Sequence, residues 1–567
     1  MQSHSSAGGD RLSSHALQDL SLMYFSKSIR ALQAEKAPRL IFLTGTVVGI
    51  VCFIYYYAQG LTVAHYDAKA HLLVARRMVD SLEPGYGQMG VNWLPLVHLV
   101  YLPFVIFDAQ YRSGLLPSLI SVFAFAVSGW LTYRIAHRIT GSVGAGVFAA
   151  LILLANPNLQ YLQSCPLTEP LYMMLLLLAL DSLIVWRESD CSGQPWLAAV
   201  WISLGALCRY EGWYVFAGLM LLLLYDFWTQ YMPRRRVLQA AGVFLSVFIL
   251  PAAAHFGYIF LRLGDNFFRR VAGGNADPYI TYKRPILSAI YHLGELSQIV
   301  SLLPLLVSAA GLVLLLVQRK QFSLRAPLLL LWLPSLINIS ALYWGLIYRL
   351  RYSVLLMPAV AIFGCFVVTS AAAKKHTLLW LSLLVMVLPG LSWYFWRADH
   401  AWKLEPGPGI LLLPAAALLL FLIARARHHC GWALLSLCNL GMYFPVLARE
   451  DRPMMVETLE HEPIEPERRE VMQYIRQNYD RKRILIDMGK QAPLVYDLGL
   501  NVKEFIYNEG GERLWHEAWR DPANQVGWLC AESGDAIWSR LQVDPTWVRE
   551  YSLELKTEHF SLYRLKN

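Results

Sequence analysis

Charged residues are scarce in this sequence: Asp, Glu, Lys and Arg make up 16% of its 567 residues, whereas a soluble globular chain carries about 25%. The deficit excludes an ordinary soluble protein over most of the length. Cysteines are also few, and the eight that are present stand singly, without a CxxC or Cys/His spacing. That pattern predicts neither a zinc site nor a disulfide framework.

Apolar sequence is abundant instead, at 56% of the residues. A helix needs about 20 apolar residues to cross a bilayer, and thirteen runs approach or reach that length. They lie at about 40–57, 113–135, 142–160, 170–186, 195–208, 213–228, 237–261, 296–317, 324–343, 352–370, 377–396, 409–424 and 432–447. The sequence therefore predicts a polytopic α-helical membrane protein with about 13 transmembrane helices. The run 93–107 is short and contains two prolines, so we expect an interfacial or re-entrant helix there.

Basic residues indicate how these helices are oriented. With the N-terminus inside, every predicted inner end carries Lys or Arg, which is the positive-inside pattern. This placement explains the formal charge of +9 without a nucleic-acid partner. The predicted units are a cytoplasmic segment 1–39 that can form an interfacial helix, a transmembrane domain 40–448 with outer loops 58–112 and 262–295, and an extracytoplasmic domain 449–567.

The segment 449–567 has the composition of a soluble domain. Short β-like runs alternate with helical stretches, which is typical of a small α/β sandwich. Predicted strands lie at 483–487, 502–507, 526–531, 551–555 and 559–565, and predicted helices at 468–478, 512–520 and 535–541. The segment contains neither GxGxxG nor a P-loop, so no nucleotide site is predicted in it.

Ionisable residues close to a membrane are energetically expensive, which makes them functional candidates. Asp67 follows the first span and begins a pattern with Ala68 and Leu72 on one face and Lys69 on another. We expect an amphipathic helix on the outer leaflet, with an ionised Asp67 at its N-terminus. A simple helix N-cap is the alternative interpretation of Asp67.

Two further outer turns contain carboxylates. Glu169 lies where a helix starts, with Pro170 beside it, and a capping carboxylate is again the alternative. Arg209 and Glu211 share the next turn, where an internal ion pair is the simplest interpretation.

Arg349, Arg351 and Tyr352 lie at the outer mouth of a span, against the positive-inside rule. Burying an arginine at helix depth costs roughly 2.5–3.5 kcal/mol. A lipid phosphate would compensate, because guanidinium matches phosphate oxygens bidentately. A snorkelling surface pair is the alternative. The outer loop 262–295, with Gly273, Gly274 and Lys283, is expected to close over a ligand as a lid.

These motifs, in this order, resemble the GT-C glycosyltransferase superfamily. The resemblance rests on Asp67 after the first span, on Tyr86-Gly87-Gln88 and Asn92-Trp93-Leu94-Pro95-Leu96, on Thr168-Glu169-Pro170-Leu171, and on Arg351-Tyr352 ahead of Pro358. Similar proteins include protein O-mannosyltransferases, bacterial aminoarabinose transferases and the oligosaccharyltransferase catalytic subunit. The sequence departs from many of them because Ala68 follows Asp67 where an acidic pair is usual, and because no DxD-type second motif is evident.

The resemblance implies a GT-C-like fold and an inverting transferase that moves a sugar from a polyprenyl-phosphate-linked donor to a hydroxyl of a glycan, lipid or protein acceptor. Asp67 would act as the general base, Glu169 would orient hydroxyl groups, and Arg351, Arg349 and Tyr352 would bind the donor phosphate. Further candidate substrate-binding residues are His65, Tyr66, Trp93, Arg209, Glu211 and Lys283. No metal or other cofactor is predicted, and a divalent cation stays an open alternative.

Membrane lipids are further expected partners, and the expected location is the bacterial inner membrane, with the C-terminal domain in the periplasm. A transporter or flippase of a lipid-linked or anionic substrate is the alternative function. Transporters place their charges at the midplane, within broken helices. The candidate charges here cluster at one interface, which favours the enzyme.

Overall fold

The computed structural model describes residues 14–90, 93–189, 193, 195–263, 281–300, 302–317, 325–346, 348–371, 458, 464–510 and 512–566. The predicted spans at 377–396, 409–424 and 432–447 lie outside these residues, as do Gly273 and Gly274 of the predicted lid.

The membrane part is entirely helical in the described residues. Its helices are α1 Ser14–Ala58, α2 Tyr66–Arg77, α3 Pro95–Val105, α4 Asp108–Ser113, α5 Leu115–Thr140, α6 Val143–Leu154, α7 Pro157–Leu162, α8 Thr168–Glu188, α9 Trp196–Cys208, α10 Glu211–Thr229, α11 Arg234–Leu263, α12 Pro285–Val300, α13 Leu302–Val317, α14 Ser335–Trp344 and α15 Met357–Ala371. Three 3₁₀ helices, Tyr86–Met89, Ala326–Trp332 and Leu350–Leu356, lie between them.

Five of these helices, α1, α5, α8, α10 and α11, are long and apolar enough to cross a membrane. Ala326–Trp332 and α14 make a sixth span if this pair, bent by 44°, is counted as one. The chain is therefore a polytopic membrane protein, as predicted, but the described residues do not confirm the count of thirteen spans.

Several runs that the sequence predicted as single spans are divided. The run 142–160 breaks after α6, because Asn156 accepts a hydrogen bond from Leu159 N and Pro157 starts a new helix. This is an N-cap followed by a proline at the first helical position, where the missing N–H is not needed. The run 352–370 begins as a 3₁₀ helix. A different departure concerns α1, which starts 26 residues before its predicted beginning at residue 40.

Close packing of α1 against α5 depends on two glycines one helical turn apart. A Cβ at Gly45 would lie 3.0 Å from Ala126 Cα, and a Cβ at Gly49 would lie 3.0 Å from Val122 Cγ1. Small residues at this spacing let two membrane helices approach closely. The contact anchors α1, and with it the segment 58–112 that follows its C-terminal end.

The C-terminal region forms a five-stranded sheet of order β2-β1-β3-β5-β4. Its strands are β1 Ile484–Ile486, β2 Phe505–Tyr507, β3 Trp528–Glu532, β4 Tyr551–Lys556 and β5 Phe560–Leu565, and its helices are α16 Glu465–Asn478, α17 Met488–Leu498, α18 Glu512–Arg520 and α19 Ala536–Val543. The first three strands are parallel, and β5 pairs antiparallel with both β3 and β4. All five strands lie within a few residues of the predicted positions. Helix α17 was not predicted, because Gly489 and Pro493 within it disguise the helical pattern.

This region docks on the segment 58–112 through ion pairs with α2. Lys69 Nζ lies 2.6 Å from Asp497 Oδ2, and Arg77 Nη1 lies 2.9 Å from Glu509 Oε2. The prediction that α2 lies on the membrane surface as an amphipathic helix is wrong, because its residues 68–77 are all buried. Helix α2 packs against α3 and α4 of the membrane part and against α17 of the C-terminal region.

A buried ion pair joins the C-terminal ends of α8 and α10 and gives a stability prediction. Arg187 donates to both carboxylate oxygens of Asp226, at 2.7 and 2.8 Å, and both side chains are 0% exposed. Arg187→Ala leaves Asp226 buried without this partner, so we expect a loss of about 3–5 kcal/mol. Thermal unfolding of the purified protein in detergent checks the expected fall in Tm.

The neighbouring residue supplies the control. Glu188 pairs with Arg138 in a bridge whose side chains are 32% and 30% exposed, so Glu188→Ala should cost only about 0–1 kcal/mol. If Arg187→Ala and Glu188→Ala lower the Tm equally, burial of the ion pair does not determine the cost of breaking it.

Glu532, at the end of β3, gives a pH prediction. The residue is 5% exposed, and its Oε2 has no hydrogen-bond partner among the described residues. Burial raises its pKa from 4.5 to about 7. Because the folded state holds this proton more tightly than the unfolded state, the contribution to stability is present below pH 4.5 and is lost as the pH rises through 7. Glu532→Gln should therefore raise stability at pH 8 by roughly 1–3 kcal/mol, and by much less at pH 5.

Thermal unfolding at the two pH values checks this, with the exposed Glu550→Gln as the control. A Glu532→Gln variant that gains nothing at pH 8 would show that the buried carboxylate is not destabilising.

Candidate active site

Asp67 lies in the first turn of α2, but it is not the N-cap. His65 has that position, and its Nδ1 accepts a hydrogen bond from the backbone N–H of Asp67 at 3.0 Å. The simple N-cap interpretation of Asp67 is therefore wrong, and its carboxylate is available for other contacts. The side chain is 15% exposed, near the junction of the membrane part and the C-terminal region.

Arg351 binds this carboxylate from the 3₁₀ helix Leu350–Leu356. Its Nη2 donates to Asp67 Oδ2, its Nε lies 3.3 Å from Glu169 Oε1, and its Nη1 lies 3.2 Å from a ring nitrogen of His65. The side chain is only 2% exposed. A snorkelling arginine would be exposed at its guanidinium, so that interpretation is wrong.

Glu169 and Arg209 extend the cluster to the next two turns. Arg209 Nη1 donates to Glu169 Oε1 at 2.9 Å and to the hydroxyl of Thr168, while its Nη2 donates to Glu211 Oε1 at 2.6 Å. The predicted internal pair of Arg209 and Glu211 is confirmed. Glu169 bridges the two arginines, so its carboxylate does more than cap a helix.

Tyr352 lies between the two guanidinium groups. Its ring centroid is 4.3 Å from Arg209 Cζ and 5.2 Å from Arg351 Cζ. An aromatic face attracts cations by its quadrupole, so the ring is placed to stabilise both guanidinium groups.

Tyr66 and Trp93 lie at the rim of the cluster. The Tyr66 hydroxyl donates to the carbonyl of Gly489 in α17 at 2.7 Å, which ties the start of α2 to the C-terminal region. Trp93 packs edge-on against His71, with ring centroids 4.3 Å apart.

Two further predicted residues, Lys283 and Arg349, make the following contacts. Lys283 is exposed, its N–H donates to Tyr343 O, and its Nζ lies 5.1 Å from the Tyr282 ring centroid. Arg349 is half-buried, and its carbonyl accepts a hydrogen bond from Asn338 Nδ2 at 3.2 Å. Their assignment to the donor phosphate stays a prediction.

The electrostatics of the cluster are set by burial and by Arg351. Burial alone would raise the pKa of Asp67, but the adjacent Arg351 guanidinium outweighs it and holds that pKa well below the usual range. Among Asp67, Glu169, Glu211, Arg209 and Arg351 there is one more carboxylate than guanidinium group. An anionic ligand must therefore compete with carboxylates for the arginines.

His71 and His98 were not among the predicted site residues. His71 lies one helical turn after Asp67, a spacing that places both on one face. His98 interrupts the otherwise apolar helix α3, and this isolated polar residue was the available signal. Both are buried, at 1% and 0% exposed.

Metal binding has no support in this cluster. Among the described residues, the one group of three ligands close enough to hold an ion is Glu467, Glu558 and His559, in the C-terminal region. Glu467 there already accepts hydrogen bonds from Thr557 and from both the ring and the backbone of His559. The expectation that no metal is required stays a prediction.

No protein-family model matches the sequence, and no curated protein matches it. Solved structures, in contrast, are similar to this chain. The crystal structure of ArnT from Cupriavidus metallidurans bound to undecaprenyl phosphate aligns with a TM-score of 0.54 and 13% identity, over 92% of this chain and 97% of that chain. The same protein in the apo state aligns with a TM-score of 0.48 and 12% identity, over 91% and 97%. The chain thus has the GT-C-like membrane fold of ArnT, an aminoarabinose transferase, as the motifs of its outer loops predicted.

Proposed function

We propose that this chain is an inverting glycosyltransferase that moves a sugar from a polyprenyl-phosphate-linked donor to an acceptor hydroxyl at the outer face of the membrane. The observation that carries the proposal is the convergence of Asp67, Glu169, Arg209 and Arg351 in one buried cluster. Buried ion pairs are weak contributors to stability, so a bundle with only structural needs gains little from them. The fold shared with ArnT, which was crystallised with undecaprenyl phosphate, supports the choice of donor.

The reaction would be a single displacement. The acceptor oxygen attacks the anomeric carbon while the bond from that carbon to the phosphate oxygen breaks, through an oxocarbenium-like state. The acceptor proton passes to the Asp67 carboxylate. The polyprenyl phosphate leaves with the electron pair and gains a negative charge, which Arg351 stabilises. No acid is needed for this leaving group, and one base implies inversion.

The ion pair between Arg351 and Asp67 links donor binding to the base. A carboxylate whose pKa is far below the working pH is a poor proton acceptor. When a donor phosphate takes the Arg351 guanidinium, Asp67 loses the charge that lowers its pKa and becomes a better base. The donor would thereby activate the residue that deprotonates the acceptor, and the base would remain weak until the donor is bound.

The test uses the full chain purified from membranes. Mass spectrometry of the lipids that co-purify should identify a polyprenyl phosphate or its glycoside. With a radiolabelled polyprenyl-phosphate sugar and a cell-envelope extract as the acceptor source, label should pass to the acceptor fraction with inversion at the anomeric carbon. Absence of polyprenyl phosphates and of transfer, together with movement of a lipid across liposome bilayers, would favour the flippase instead.

A further inference from the structure

Two buried histidines form a hydrogen-bonded chain next to the Asp67 cluster. His71 Nδ1 lies 3.0 Å from His98 Nε2, and His98 Nδ1 lies 3.0 Å from the carbonyl oxygen of Leu94. The chain runs from α2 to the first turn of α3. Neither histidine takes part in the reaction described above, and both are almost fully buried.

The carbonyl at the end of this chain determines where each proton lies. A carbonyl oxygen only accepts, so His98 Nδ1 must carry a hydrogen and donate it to Leu94. Burial lowers the pKa of His98 well below its ordinary value, so the ring is neutral and its Nε2 is an acceptor. His71 Nδ1 must then be the donor to His98. The hydrogen bond at one ring nitrogen thus sets the state of the other.

His71 is also neutral, because burial lowers its pKa to about 4. With its one ring hydrogen on Nδ1, its Nε2 has an unprotonated lone pair. The two nitrogens of an imidazole point in widely different directions, so Nε2 points away from His98. The charges of Asp67 and Glu169 both act on this ring, and Trp93 packs against it.

We propose that His71 Nε2 is a fixed hydrogen-bond acceptor for a hydroxyl group of the sugar acceptor, with His98 as the positioning residue that holds its tautomer. The inference rests on the proposed function and assigns the acceptor side of the same site. Asp67 would take the proton of the attacking hydroxyl, while His71 would hold a neighbouring hydroxyl and Trp93 would offer a flat apolar surface to the sugar ring. This arrangement selects a sugar-like acceptor with two adjacent hydroxyls over a simple alcohol.

The first test measures the tautomer directly. Solid-state NMR of the full chain labelled with ¹⁵N-histidine, with His71 assigned by its loss in His71→Gln, should show hydrogen on Nδ1 and none on Nε2 at pH 7. His98→Leu removes the acceptor from Nδ1 and should shift hydrogen to Nε2, whereas His98→Gln retains an acceptor oxygen and should preserve the tautomer. A wild-type His71 with hydrogen on Nε2 would overturn the inference, whatever the protein catalyses.

The second test measures transfer from a polyprenyl-phosphate sugar to an alkyl maltoside, and hydrolysis of the same donor by water. We expect His71→Leu and His98→Leu to raise the KM for the maltoside about tenfold, and we expect His71→Gln and His98→Gln to show a smaller increase in this KM. His137→Gln, at the inner end of α5, is the control.

If the wild-type protein neither transfers the sugar nor hydrolyses the donor, the proposed function is wrong, but the tautomer result still stands. If the wild type transfers the sugar and His71→Leu has an unchanged KM for the maltoside, only the assignment of His71 to the acceptor is wrong.

Discussion

Replacing Arg351 by alanine should lower turnover by about 10²- to 10³-fold and weaken donor binding at the same time. Removing one member of a buried charge pair costs about 2–5 kcal/mol, and each 1.36 kcal/mol is a factor of ten in rate. The arginine would contact the phosphate both before and during cleavage of the glycosidic bond, so both measurements should change. Retention of a radiolabelled polyprenyl phosphate by the purified variant, and transfer of label from its glycoside, give the two readouts.

Lysine at position 351 should rescue this loss only in part. An ammonium group restores the charge but cannot reproduce the fork of a guanidinium, which here reaches Asp67, Glu169 and His65 together. Arg138→Ala, in the last turn of α5, controls for the loss of an arginine as such. If both Arg351→Ala and Arg351→Lys bind the donor as the wild type does, the phosphate site must be sought around Arg209 and Lys283.

The same variant also removes the charge that lowers the pKa of Asp67. A double variant Arg351→Ala/Asp67→Asn should therefore lose much less than the product of the two single losses, because the two residues act as a unit. If the fold-losses of turnover in the two single variants multiply in the double variant, Arg351 does not exchange between Asp67 and the donor phosphate.

Replacing Asp67 by asparagine should lower transfer by about 10²- to 10⁴-fold, the usual contribution of a general base. Donor binding should be retained or become tighter, because the amide no longer competes with the phosphate for Arg351. This opposite behaviour of binding and turnover separates Asp67 from Arg351, whose loss reduces both. Titration with a radiolabelled polyprenyl phosphate and single-turnover transfer measure the two quantities.

Asp108→Asn is the matched control, since this aspartate lies in the same segment 58–112 and its side chain is 53% exposed. Wild-type turnover in Asp67→Asn would eliminate Asp67 as the base. Loss of donor binding in Asp67→Asn would show instead that the carboxylate holds Arg351 in place and that the pair is structural.

The sequence by itself determined the membrane class, most of the C-terminal secondary structure and the residues of the cluster. The scarcity of charge and the long apolar runs indicate a membrane protein, because a bilayer excludes unpaired charge over about 20 residues. Short β-like runs between helical stretches indicated the strands, all five of which were predicted. Asp67, Glu169, Arg209 and Arg351 stood out because an ionisable residue at a membrane boundary needs a compensating partner.

Only the tertiary structure decided which partner each charge has. Asp67 and Arg351 are 284 positions apart in the chain, and no local pattern predicts that pair. The same limit explains why α2 was mistaken for a surface helix: Lys69 and Arg77 pair with Asp497 and Glu509 of the C-terminal region, and Asp67 pairs with Arg351. Periodicity shows that a helix has two faces, but whether a polar face meets solvent or another part of the chain depends on contacts that only the folded protein forms.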